Sequence, residues 1–140
     1  MIIIPILVAV VTQIIKLITD SIPNNLNWQH LFNDYGGMPS SHTALVASLA
    51  LMVGLETGFF GAPFAIALIL MIIVIRDAMG FRREIGRNAF LTNMIAQEIW
   101  PENPEVLLHE KIGHSQKEVI VGGVVGVTLT FLFYFVMLSF

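Results

Sequence analysis

From Phe59 to Asp77 the chain reads Phe-Phe-Gly-Ala-Pro-Phe-Ala-Ile-Ala-Leu-Ile-Leu-Met-Ile-Ile-Val-Ile-Arg-Asp. No charge interrupts the run before Arg76, and its apolar part, Phe59–Ile75, approaches the roughly 20 residues a helix needs to cross a bilayer. Three other segments read the same way: Met1–Thr19, Thr43–Leu55 and Val119–Phe140. Composition agrees. Of the 140 residues, 56% are hydrophobic and 12% charged, whereas soluble domains carry about 25% charged residues. The expected fold class is all-α. Residues 1–140 form a single membrane-embedded domain, an integral membrane helical bundle of about four transmembrane spans.

The first segment has no early basic residue, and no small-residue cleavage pattern follows it, so it reads as a retained span and not as a signal peptide. Thr43–Leu55 and Phe59–Ile75 meet at the turn Glu56-Thr57-Gly58. Together they are short for two crossings. Either the hairpin begins below the membrane surface, which sinks His42 toward the head groups, or it is thin or tilted. Residues 20–41, with Pro23, Asn24, Asn25, Asn27, Gly36 and Gly37, read as a loop. Phe81–Trp100 reads as an interfacial amphipathic helix with Ile85, Ala89, Met94, Ile95 and Ile99 among its apolar positions, ended by Pro101 and Pro104.

Four spans place the 20–41 and 78–118 connections on the same membrane face. His42 and His114, each at the start of an apolar helix, then share that face. Apart from Lys16, every lysine and arginine lies between Arg76 and Lys117. The positive-inside rule therefore expects an inner (plasma) membrane protein with this face in the cytoplasm and both termini outside. The absence of cysteine excludes disulfides and thiolate chemistry. A net charge of −3 without a basic cluster gives no sign of nucleic-acid binding.

Three stretches carry chemistry. In Gly36-Gly37-Met38-Pro39-Ser40-Ser41-His42-Thr43-Ala44, serines precede a helix whose N-terminus suits a phosphate. An ordinary capped helix after a Gly-rich turn reads equally from the serines alone, but His42 has no capping role. In the second stretch Arg76, Asp77, Arg82, Arg83 and Arg87 crowd together. Arginine forks recognise phosphate oxygens, and Asp77 is placed to orient one of them; anchoring at a span end is the plainer reading. In the third, Glu110, His114 and Glu118 fall four apart, which on a helix puts them on one face and lets Glu118 hold the imidazole. A polar helix start facing water is the alternative. A metal reading meets the obstacle that His109-Glu110-Lys111-Ile112-Gly113-His114 is one residue too long for H-E-x-x-H, so neither metal nor cofactor is expected. Lys16, near the end of the first span, either snorkels or faces a polar cavity. Gly122, Gly123 and Gly126 read as a close-packing surface, one on which a homo-oligomer can form.

Gly36–Ala44, Arg76–Arg83 (Arg-Asp-Ala-Met-Gly-Phe-Arg-Arg) and Gly113–Val119 (Gly-His-Ser-Gln-Lys-Glu-Val), in this order, resemble the divergent type-2 phosphatidic acid phosphatase family, also described as acid phosphatase/vanadium-dependent haloperoxidase-related. The resemblance covers nearly the whole chain. It implies that Ser40 and the Ser41 backbone bind phosphate, that His42 is the general acid, and that His114 is the nucleophile, oriented by Glu118 in place of an aspartate. The chain departs from the wider superfamily in three places. Ser41 replaces a glycine. Leu108 and Ile22 stand where phosphate-binding arginines are expected. Of the first motif only Lys16 and Pro23 remain. Arg82 and Arg83 are the candidates to replace the missing pair, with Lys16 as a further phosphate ligand.

The expected function is a metal-independent membrane phosphatase. It acts on a lipid phosphate monoester or pyrophosphate, such as phosphatidylglycerol phosphate, through a phosphohistidine. A vanadate-dependent haloperoxidase would use the same oxyanion site, and a non-catalytic membrane scaffold would need only the bundle.

Overall fold

The computed structural model describes residues 2–19, 37–101, 107–110 and 112–139. Most of the 20–41 loop, together with Pro104 and Lys111, lies outside the described residues. Among the described residues five helices follow in order: α1 Ile3–Thr19, α2 Ser41–Thr57, α3 Ala62–Met79, α4 Phe81–Ile99 and α5 Gln116–Leu138.

All four expected spans are helices, and α4 occupies the interfacial segment. The second and third spans remain short: α2 runs past its expected apolar run at both ends, whereas α3 starts later than expected, at Ala62, and gains only at its end. Ser40 caps α2 and draws its start back to Ser41, while α3 continues through Arg76 and Asp77 to Met79. Gly58, with φ 87°, closes α2 by donating its N–H to the Gly54 carbonyl at 3.0 Å. The left-handed φ costs glycine nothing. α5 and the α3–α4 run are long and apolar enough to cross a bilayer. α1 and α2, at 17 residues each, stand at the short limit for a span.

α2 is the central helix, packing on α1, α3 and α5. Its buried residues are small or polar: Thr43, Ala44, Ala47, Ser48, Ala50 and Gly54, with Val46 and Met52. The large apolar side chains point outward instead. Ile6, Val10 and Ile14 of α1, Ile66, Ile69 and Ile73 of α3, and Ile120, Val124 and Phe135 of α5 are all exposed. A soluble bundle would bury these residues. An interior of small residues inside an apolar outer belt is how helices pack when lipid is the solvent.

The α2–α5 seam shows the packing most clearly. Both helices run in the same direction, with Ser40 against Gly122, Ala44 against Gly126 and Ser48 against Thr130. A Cβ at position 126 would lie 2.7 Å from the Ala44 Cα. The buried Thr130 hydroxyl is 2.6 Å from both Ser48 Oγ and the Gly126 carbonyl, so its polar group is satisfied inside the bundle. The glycine face expected to serve self-association is therefore filled by α2, and Gly122 and Gly126 are not available to a second copy.

α4 also differs from expectation. Of its expected apolar positions only Ala89 is buried. Ile85, Met94, Ile95 and Ile99 are exposed, and the covered face is Gly86, Ala89, Asn93 and Ala96. The reason is backbone proximity: a Cβ at Gly86 would lie 2.5 Å from the Glu110 carbonyl oxygen and 2.9 Å from that of Ile112. Only small side chains admit a chain segment so close to a helix.

Candidate active site

The ends of all five helices that carry candidate residues meet at one end of the bundle. α5 begins with a capping box: Ser115 Oγ accepts from the Glu118 N–H at 3.4 Å, and Glu118 Oε2 accepts from the Ser115 N–H at 2.9 Å. Just before it, the His114 N–H donates to the Ala78 carbonyl at 3.0 Å and ties the segment to the last turn of α3. Gly113 has φ +93°, and a Cβ there would lie 2.7 Å from the Arg83 nitrogen. Conformation and space both require glycine at this position.

α2 begins beside α5. The Ser40 N–H donates to the Glu118 carbonyl at 3.2 Å. Ser40 Oγ is fully buried and accepts from the Thr43 N–H at 3.4 Å and the Thr43 hydroxyl at 3.0 Å. His42 follows in the first turn and is half-buried. The Ser41 N–H, at the first helical position, has no acceptor within its own helix. From α1, the Thr19 hydroxyl reaches the Met38 carbonyl at 2.7 Å, so the end of α1 is joined to the approach to α2.

His114 is the centre of this arrangement. It is 4% exposed, and neither ring nitrogen has a hydrogen-bond partner. Unpaired buried polar atoms are costly, and native structures leave few of them. Burial is the main cause that pushes the imidazole below its ordinary value of 6.5; the nearby Lys16 lowers it next, His42 and Arg82 lower it further, and Glu118 opposes them. His114 is therefore held neutral at neutral pH, the state a nucleophile requires.

The expected residues fall into three groups. Lys16, His42, Arg82 and Glu118 are all near enough to His114 to act on its charge. Lys16, at 8% exposure, does not snorkel away; it is enclosed. Asp77 Oδ2 accepts from Arg82 Nε at 2.7 Å, which fixes the guanidinium at the start of α4. Ser40 and Arg83 enter differently from expectation. The Ser40 side chain is enclosed as a cap, and Arg83 is exposed and supports Gly113 through its backbone. Ser41, half-buried, stands at the first position of α2.

One expectation is corrected. Glu110, His114 and Glu118 do not share a helix face, because α5 starts only at Gln116 and the residues before it are irregular. Glu118 acts on His114 through its charge and makes no hydrogen bond to the imidazole. Its carboxylate is engaged by the helix cap. Ala78, whose carbonyl holds His114, lies within the Arg76–Arg83 motif, where nothing in the sequence gives it a role, and Asn93, whose amide holds residues 108 and 110, lies in no motif. The only sequence signal for Asn93 is an amide on a helix face otherwise made of Gly86, Ala89 and Ala96.

Comparison with known proteins shows the family. The profile of a family described as "Divergent PAP2 family" matches residues 1–129. A protein of Bacillus subtilis (strain 168), "Uncharacterized membrane protein YuiD", is 36% identical over 140 residues, covering 89% of this chain and 88% of its own. No solved structure matches the chain.

Proposed function

Because the chain belongs to the divergent PAP2 family and is a membrane protein, we propose that it is a phosphatase for a lipid phosphate monoester or pyrophosphate, with His114 as nucleophile. The observation that carries this reading is the pair of buried, unpartnered ring nitrogens of His114 among Lys16, His42 and Arg82.

In this reading a phosphoryl oxygen cluster sits against Lys16, Arg82 and the Ser41 N–H at the start of α2. Those groups meet the charge that spreads over the equatorial oxygens in the transition state. One nitrogen of neutral His114 attacks phosphorus in line, and the bond to the leaving oxygen breaks. Protonated His42 gives its proton to that oxygen, releasing the lipid alcohol or lipid monophosphate. Neutral His42 then takes a proton from water as the water oxygen attacks the phosphohistidine. The N–P bond breaks, and inorganic phosphate leaves. The apolar outer belt keeps the lipid part of such a substrate in the bilayer while its head group reaches the helix ends. Phosphatidylglycerol phosphate fits this chemistry and the cytoplasmic orientation that the basic residues favour.

The test is phosphate release by purified protein in detergent from a panel of lipid phosphates, with an acid-labile phosphoenzyme trapped in parallel. Wild type should release phosphate and trap the label, and His114→Ala should do neither. Chelator should leave the rate intact, and vanadate should inhibit by occupying the five-coordinate geometry. Turnover in His114→Ala equal to that of wild type would remove the nucleophile assignment.

A further inference from the structure

Among the described residues, a side chain of α4 holds the segment that leads to His114. Asn93, 4% exposed, donates from Nδ2 to the Leu108 carbonyl at 2.7 Å and to Glu110 Oε1 at 2.8 Å. Its Oδ1 accepts from the Leu108 N–H at 2.7 Å. The two bonds to Leu108 reproduce the mutual exchange made by a hydrogen-bonded pair in a β-ladder. A primary amide is suited to this because it offers donor and acceptor side by side. On the same face of α4, Gly86 admits the backbone of Glu110 and Ile112, and at the start of the helix Arg82 and Arg83 seat Gly113. The chain then reaches His114, whose own backbone bond goes to Ala78.

This clasp answers an energetic problem. An imidazole with both nitrogens buried and unpaired gains by turning toward water. Such an arrangement persists only where its surroundings over-determine it. We propose that Asn93 is a positioning residue for His114: by locking residues 108–110 onto α4 it keeps the imidazole buried at the junction of the helix ends. The catalytic consequence rests on the reading of His114 as nucleophile; the geometric consequence does not.

The experiment uses the full chain in detergent and two readouts. The first is carbethoxylation of each histidine by diethyl pyrocarbonate, followed by mass spectrometry, with the melting temperature measured beside it. Asn93→Ala should raise the His114 modification rate roughly tenfold, the change expected when about one net hydrogen bond is lost. His42, held by the α2–α5 seam, should keep its rate. Asn93→Asp should expose His114 as well, since it sets a carboxylate against Glu110. Adding Glu110→Gln returns a donor opposite the new acceptor and should restore much of the protection, a rescue that loss of packing alone would not give. The second readout is phosphate release, which should fall by roughly 10²-fold in kcat for Asn93→Ala, the scale of a misplacement of about 1 Å, and recover in the double variant. Protection of His114 in Asn93→Ala equal to wild type overturns the clasp, as does an equal rise at every histidine without rescue. Exposure of His114 with unchanged kcat overturns its catalytic role. Should the wild type release no phosphate from any lipid tested, the functional reading falls while the labelling still decides the clasp.

Discussion

The backbone of Ser40 rests on Gly122, so closely that a Cβ at position 122 would collide with the Ser40 carbonyl oxygen. This contact sets the register of two parallel helices and brings both of their starts to one level. His42 stands just inside one start and His114 just before the other, so the contact decides that the two imidazoles share a site. Gly122→Ala should destabilise the protein by about 1–3 kcal/mol, the usual cost of overpacking, and Gly126→Ala should behave alike. Gly123→Ala is the control, since its new methyl would meet only Thr43 Cγ2 at 3.8 Å. Thermal unfolding in detergent should separate the first two variants from the third.

His42 is half-buried in the first turn of α2, beside His114. Its proposed role is transfer of the proton to the leaving oxygen. His42→Ala should slow turnover by roughly 10²–10⁴-fold, the range for lost acid–base catalysis. A substrate with a better leaving group, such as a nitrophenyl phosphate ester, should narrow the gap to wild type. An equal deficit on both substrates would assign His42 to binding instead.

Arg82 and Arg83 are adjacent in sequence but unequal in place. Arg82 is tied to Asp77 and acts on His114, whereas Arg83 is exposed and supplies backbone. Arg82→Lys should raise KM and lower kcat because an ammonium cannot make the forked contact. Asp77→Asn should give a milder form of the same defect. Arg83→Ala should stay near wild type. The reverse ranking in steady-state kinetics would move the phosphate to the other arginine.

The pH dependence follows from burial of His114. Its pKa is lowered from 6.5, so with His114 as the proposed nucleophile the acid limb of kcat/KM should fall below the ordinary imidazole range. Removing the opposing charge with Glu118→Gln should move the limb to still lower pH, while the amide keeps an acceptor for the Ser115 N–H. Removing a positive charge with Lys16→Gln should move it upward. Stability carries the same sign: the unfolded imidazole binds a proton more readily than the folded one, so stability is lost as pH falls below 6.5 through the lowered value. Rate profiles and melting curves across the acid range would test both statements.

Orientation can be decided by labelling, because the chain contains no cysteine. Phe60 is fully exposed at the α2–α3 turn, and Glu98 is exposed on α4, the helix that begins at the site end of the bundle. With the site on the cytoplasmic side, Phe60→Cys should react with an impermeant thiol reagent in intact cells, and Glu98→Cys only after lysis. The opposite pattern would turn the site outward and redirect the search for substrates to that leaflet.

Periodicity and length alone determined that this chain is helical and where its apolar helices lie, and they led to the expectation that His42 and His114 fall at one end of the bundle, as they do. Those properties are local: twenty apolar residues must satisfy their own backbone in lipid, and alternation of spans does the rest. The motifs also placed Lys16, Asp77 and Arg82 at the right end. What only the tertiary structure decided was how close the groups stand and which of their atoms are already engaged. Ser40 and Glu118 are consumed by helix caps, Arg83 turns out to be a backbone support, and the glycines of α5 are filled by α2. The clasp from Asn93 to Leu108 and Glu110 carries no pattern in sequence, because it joins a helix interior to an irregular segment. The charges that act on the His114 ring likewise come from four separate helices, through Lys16, His42, Arg82 and Glu118, and no window of sequence contains them.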